Sequence, residues 1–301
     1  MASGVSPPNW RVDGRDWPNR AASRFVEAAG LRWHVQVMGR GRVILLLHGT
    51  GAATHSWRDL APLLAEEAQI VAPDLPGHGF TDSPPPRRLS LAGMARDTAE
   101  LLRVLDVRPA LAVGHSAGAA VAIEMALEGL IAPRGIVSLN GALLPYRDSA
   151  NPLFSAFARL FALNPLVPRL FSWRAGRRAA AERLIGQTGS RIDAAGLEFY
   201  RRLLARPGHC AAALHMMANW RLEPLVARLS QLEPSLRLVV AEKDRAVPPS
   251  VGRRIASRLA TAEVIALSGL GHLAHEEDPE GVAKIVLDSL EASKGHDVAN
   301  G

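Results

Sequence analysis

The most constraining stretch of this chain is Gly114-His115-Ser116-Ala117-Gly118. An apolar run at 110–113 leads into it, and an Ala-rich run at 119–127 leads out. That pattern predicts a buried strand, a sharp turn and a helix. A serine at such a turn stands clear of the sheet, with the helix N-terminus beside it. The turn crowds the backbone, so the residues two before and two after the serine must be small. Gly114 and Gly118 meet that demand. The helix dipole and its free N–H groups favour negative charge developing at this point. A small-residue turn that merely contains serine would show the same five letters. The flanking strand and helix are what give the pattern meaning.

The surrounding rhythm is that of an α/β protein. "SRFVEA" and "RWHVQVM" (23–28 and 32–38) alternate as a half-buried hairpin does. "RVILLL" (42–47) is a continuous apolar run, the mark of a strand buried on both faces. Helical spacing follows with Trp57, Leu60, Leu63 and Leu64, then a strand entering "DLPGHG" (74–79). Residues 91–105 form a helical stripe with Ser90 as N-cap. After the serine turn come "GIVSLN" (135–140) as a strand, "SLRLVVAEKD" (235–244) as a strand running into a loop, and "AEVIAL" (262–267) as a strand. The terminal helix has Pro279 near its start. Such alternation predicts a mainly parallel central sheet with helices on both faces.

Residues 145–222 break the rhythm. They are helical in pattern, carry five of the seven phenylalanines, and hold twelve arginines against four acids in 146–222. That is a local charge of +8 in a chain of net +6. The expected organisation is therefore a loose, polar arm at 1–20, an α/β core at 21–144 and 223–295, and an inserted helical cap at 145–222. Phe154, Phe157, Leu160 and Phe161 share one helical face. That face either packs over the mouth of the site or, with Arg159, Arg169 and Arg174, touches an anionic membrane.

Composition closes off other classes. The chain has 301 residues, 48% hydrophobic and 21% charged, enough for a sizeable core. Its one cysteine, Cys210, rules out an internal disulfide framework and suits a reducing compartment. No run reaches 18 apolar residues and no signal peptide is read, so a cytoplasmic location is expected. The arginines are scattered, with no nucleic-acid motif and no stacking pattern with Trp10, Trp17, Trp33 or Trp57. No nucleic-acid partner is expected.

A serine nucleophile needs a base, an orienting carboxylate and oxyanion donors. His48-Gly49-Thr50-Gly51 ends a central strand, where the Thr50 N–H can join the Ala117 N–H as an oxyanion hole. His272 follows the last strand, and Asp244 follows the one before. Parallel strands bring these loops to one carboxyl edge of the sheet. His275 competes with His272, although His272 stands at the loop's start. The other site for the acid, after 135–139, holds Asn140. Metal sets drawn from His272, His275 and Glu276, or His209, Cys210 and His215, have simpler readings as loop and helix residues, so no metal or other cofactor is expected. Asp74 and His78 are read as fixing a loop beside the site.

Together "LLLHGTG", "DLPGHG", "GHSAG", "EKDRAVP" and "GLGHLAHEEDPE" resemble the α/β-hydrolase fold family across nearly the whole chain outside 145–222. The resemblance implies Ser116 as nucleophile, His272 as base, Asp244 as orienting acid, Thr50 and Ala117 as the oxyanion hole, and 145–222 as the cap. Dehalogenases and epoxide hydrolases of this fold use an aspartate nucleophile, and Ser116 argues against both. Residues 16–41 and 45–65 are similar to the magnesium-chelatase accessory branch of bacteriochlorophyll synthesis. That likeness implies a role around magnesium insertion into a porphyrin, with chelatase subunits as partners and an acyl or porphyrin-like ligand. The chain lacks a Gly-rich loop ending in Gly-Lys-Ser/Thr, so it is not the ATP-driven motor.

Overall fold

The structure, a computed structural model, describes residues 6–145 and 166–292. In chain order its elements are α1 (Trp10–Asp13), β1 (Ser23–Ala28), β2 (Leu31–Met38), β3 (Val43–Leu47), α2 (Leu60–Ala65), β4 (Gln69–Pro73), α3 (Leu91–Val104), β5 (Pro109–His115), α4 (Ala117–Leu127) and β6 (Gly135–Leu139). Then come α5 (Leu166–Ala175), α6 (Arg178–Gln187), α7 (Ala194–Leu204), α8 (Pro207–Asn219) and α9 (Glu223–Arg228). β7 (Ser235–Ala241), α10 (Ser250–Ala256), β8 (Ala262–Leu267), α11 (Ala274–Glu277) and α12 (Pro279–Ala292) complete the chain.

One eight-stranded sheet runs in the order β1-β2-β4-β3-β5-β6-β7-β8. β1, β2 and β4 pair antiparallel, and every pairing from β4 to β8 is parallel. The inner strands are apolar throughout because both faces are covered. Alternate residues face opposite sides. Leu45, Leu47, Ala112, Ile136 and Leu238 pack on one side with α3, α4, α9 and α10. Ile44, Leu46, Val113, Val137 and Val239 pack on the other with α2 and α12. Ser90 caps α3, accepting from the Gly93 N–H as its sequence position implied.

The described part of the N-terminal segment corrects the expectation of a loose arm. From residue 6 it is packed. Trp17 is buried, its indole N–H donates to Thr54 Oγ1 at 2.9 Å, and its ring meets Phe80 and Phe199 edge-on. Asp13 pairs with Arg206, and Arg202 donates to Asp16 at 2.8 Å. The Arg20 guanidinium lies 4.3 Å over Trp10, so arginine–tryptophan stacking does occur, within the fold itself. A polar, Pro/Gly-rich composition hid the anchors of Trp17, Asp13 and Asp16 because their partners lie far along the chain.

The face of Phe154, Phe157, Leu160, Phe161 and Arg159 lies outside the described residues. No helix among the described residues is long and apolar enough to cross a membrane.

Trp17→Ala removes a buried ring and leaves Thr54 without its donor. It should cost about 3–5 kcal/mol in chemical denaturation. A loss under about 1 kcal/mol, the size expected at an exposed site, would restore the loose-arm reading.

Candidate active site

The loops after β3, β5, β6, β7 and β8 emerge at the carboxyl edge of the parallel strands, and every residue of the expected site lies on them or, for Ala117, at the start of the helix that follows. Ser116 joins β5 to α4 with φ 51° and ψ −116°. A side chain on Gly114 would strike the Ala119 backbone, and one on Gly118 the Leu47 carbonyl. Those two glycines let α4 start against the sheet immediately after the serine. Ala117 opens α4, where an N–H has no intrahelical acceptor.

The loop after β3 lies against this turn. A Cβ on Gly49 would come within 3.0 Å of Ser116 Cβ. His48 Nδ1–H donates to the Gly49 carbonyl at 2.8 Å, while its Nε2 accepts from the Leu75 N–H at 2.9 Å. In a trans peptide the C=O and the next N–H point opposite ways. Pinning Gly49 O to His48 therefore aims the Thr50 N–H away from that ring. Thr50 Oγ1 meets Met216 Sδ of α8 at 3.4 Å, so a helix between β6 and β7 covers the loop.

Asp244 and His272 are in direct contact. His272 Nδ1–H donates to Asp244 Oδ2 at 2.8 Å. The carboxylate only accepts, so Nδ1 carries a hydrogen, and the neutral form of this ring then has its lone pair on Nε2. Asp244 Oδ1 accepts from the Ala246 and Val247 N–H groups, each at 2.8 Å. Asn140 Nδ2 donates to Oδ2 at 2.7 Å. Asn140, set aside in the sequence because it is not an acid, thus holds the acid. Its place at the end of β6, beside the elbow strand, was the available signal.

His115 connects this pair to the serine turn. Its Nε2–H donates to the His272 carbonyl at 2.9 Å, and the two rings lie 4.7 Å apart. The residue before Ser116 is thereby tied to the main chain of His272. The Ser116 hydroxyl itself forms no hydrogen bond to His272 among the described residues. Unliganded sites often leave that bond long until substrate binds. His275 is placed elsewhere: buried, bonded to Ser56 Oγ at 2.8 Å and lowered by burial to about 3.

Sequence reasoning missed a buried polar network behind the site. Glu276 accepts from Tyr200 at 2.6 Å and Ser56 at 2.7 Å, and pairs with Arg58. Arg58 also reaches Asp193, the N-cap of α7, at 2.9 Å. Burial raises the Glu276 carboxyl above its usual range despite the guanidinium beside it. The network ties α7 to α11, the short helix that follows the loop of His272. Its members lie up to 220 residues apart and leave no local signature.

A second tie comes from α8. His209 Nδ1 accepts from the Gly79 N–H at 3.1 Å, and its Nε2–H donates to Gly51 O at 3.0 Å. Only a neutral imidazole does both. His78 lies 5.3 Å from His209 ring to ring and 5.5 Å from His48. Burial lowers His209 and His78 to about 3 and His48 to about 4. Asp74 fixes its loop as the sequence reading held. It accepts from His34 at 2.7 Å and from the Thr54 and Phe80 N–H groups at 2.7 and 2.8 Å.

A family profile described as "Alpha/beta hydrolase family" matches residues 44–285. The chain belongs to the α/β-hydrolase family. This α/β hydrolase is 38% identical over 278 residues to a protein named magnesium-chelatase 30 kDa subunit from Rhodobacter capsulatus, covering 92% of this chain and 97% of that one. An α/β-hydrolase-fold crystal structure from Burkholderia ambifaria superposes with TM-score 0.73 at 26% identity, covering 88% of this chain and 99% of the other. The epoxide hydrolase CorEH shares the fold with TM-score 0.77 at 20% identity, covering 90% and 98%.

The buried histidines give this α/β hydrolase a pH signature. In the unfolded chain they take up protons near the ordinary histidine value of 6.5, while the folded state keeps His209 neutral down to about 3. Stability is full above pH 6.5 and falls as pH drops toward 3, by about 1.4 kcal/mol per unit for each such histidine. His209→Gln keeps a donor and an acceptor but cannot titrate. Its slope of stability against pH in this window should be shallower by that amount in urea melts at stepped pH. An unchanged slope would mean that His209 is charged in the fold.

Proposed function

We propose that this α/β hydrolase is a serine hydrolase of carboxylic esters or related acyl compounds. The observation that carries the reading is the 2.8 Å bond from His272 to Asp244, which leaves Nε2 as a base beside the serine elbow. Ser116 Oγ attacks the acyl carbonyl as His272 Nε2 takes its proton. The carbonyl oxygen, now negative, is met by the Thr50 and Ala117 N–H groups. The tetrahedral adduct collapses, and the leaving alkoxide takes the proton from His272. An acyl group then sits on Ser116. Water attacks it, giving a proton to His272 that returns to Ser116 Oγ. The balance is ester plus water to acid plus alcohol. Asp244 holds the imidazole in its tautomer and offsets its charge when protonated. Asn140 holds Asp244. We take the helices between β6 and β7 as the cap.

The likeness to the protein named as a chelatase subunit supports a substrate near magnesium insertion into a porphyrin, with chelatase components as partners. Arginines suit the carboxylates of such a ligand. The same likeness supports a second reading, in which the protein is a non-catalytic accessory factor that binds a porphyrin.

A fluorophosphonate probe should label the wild-type protein and not Ser116→Ala. Asp244→Asn should slow labelling by about ten-thousandfold, since it favours the wrong tautomer of His272. Folded wild type that resists the probe would overturn the hydrolase reading. Ser116→Ala can then be asked to restore pigment synthesis in a bacterium lacking this protein. Failure to restore is the outcome that the chemistry predicts, and full restoration would favour the binding role.

A further inference from the structure

Seven large hydrophobic residues are exposed among the described residues, and four of them, Leu166, Leu170, Phe171 and Trp173, lie on α5. Leu170 and Trp173 are 66% and 63% exposed. Leu170, Trp173 and Arg174 follow the i, i+3, i+4 spacing of one helix face, and Arg177 follows just past the helix end, as N-cap of α6. The opposite side, Pro168, Ser172 and Ala175, is buried. The Arg177 guanidinium lies 4.2 Å over the Trp173 ring, a cation riding on an apolar base.

Charge decides what this face fits. Over 166–187 there are five arginines and one acid. Arg178 pairs with that acid, Glu182, at 3.0 Å. Arg174, Arg177 and Arg183 are exposed and form no ion pair among the described residues. Some arginines on other surfaces, Arg103, Arg228 and Arg237 among them, meet a carboxylate. Arg174, Arg177 and Arg183 thus stand without a carboxylate among the described residues, beside apolar side chains. A convex helix with this pattern asks for an anionic surface that can deform around it.

We propose that the α5 face docks on an anionic membrane surface. Leu170 and Trp173 enter the headgroup region while Arg174, Arg177 and Arg183 meet lipid phosphates. α5 packs on α8, which carries Met216 and His209 against the loop of Thr50 and Gly51. A docked molecule thus holds that loop one helix layer from the bilayer, within reach of an apolar ligand dissolved there. The docking is independent of the chemistry proposed at Ser116.

Co-sedimentation tests it with two vesicle preparations, phosphatidylcholine alone and phosphatidylcholine mixed with phosphatidylglycerol. The wild type should sediment with the mixed vesicles at low salt and be released as salt rises. Arg174→Gln/Arg177→Gln and Leu170→Gln/Trp173→Gln should each lower partitioning about tenfold or more, with circular dichroism unchanged. Arg103→Gln/Arg237→Gln, on paired arginines elsewhere, should bind as wild type does. Ser116→Ala should sediment normally, which separates this surface from the fate of the hydrolase reading. The proposal falls if wild type stays in the supernatant, if it binds neutral vesicles equally well, or if the α5 variants sediment like wild type. It falls too if this face seats a second copy, seen as a dimer in ultracentrifugation that ignores vesicles.

Discussion

Everything at the sheet's carboxyl edge depends on one strained residue. Ser116, at φ 51° and ψ −116°, occupies backbone space that costs a side-chain-bearing residue about 1–3 kcal/mol. The surroundings over-determine it. Its N–H donates to Leu139 O at 3.0 Å, and its carbonyl accepts from Ala142 at 3.1 Å and Ala119 at 3.2 Å. Two glycines give the room for these bonds. In return the serine stands at the start of a helix, with β3, β5 and β6 fixing three sides of it.

From the elbow outward, order passes through polar contacts more than apolar ones. His115 binds the main chain of His272, His272 binds Asp244, and Asp244 is held by Asn140 and two amides. The helices between β6 and β7 are tied on by the Arg58–Glu276–Tyr200 network and by His209. Buried ion pairs are weak sources of net stability, but breaking one partner is costly. Such ties specify one arrangement rather than many. That is what a site assembled from five loops and a helical layer requires.

Much of this was legible because its signals are local. A both-faces-buried strand shows itself as "VILLL", and the elbow as two glycines around a serine. Parallel topology then carries distant loops to one edge, so Thr50, Asp244 and His272 could be chosen by position after a strand. Long-range pairs were not legible. Asp13 with Arg206, Arg58 with Glu276, and His209 with Gly51 are separated by 193, 218 and 158 positions. No window of sequence contains both halves. The role of Asn140 was not legible for another reason: an amide cannot be the acid, yet it can donate to one. The N-terminal segment looked loose because polar composition says nothing of two tryptophans finding partners across the fold.

The central claim is that Ser116, His272 and the Thr50 and Ala117 amides act on one reacting centre. A crystal structure of the protein after covalent reaction with an organophosphonate tests this most directly, since the adduct imitates the tetrahedral state. The account predicts phosphorus on Ser116 Oγ, one phosphoryl oxygen within hydrogen-bond distance of both amides, and His272 Nε2 facing the serine oxygen. An adduct on another residue, or a phosphoryl oxygen turned away from both amides with His272 out of reach, would contradict it.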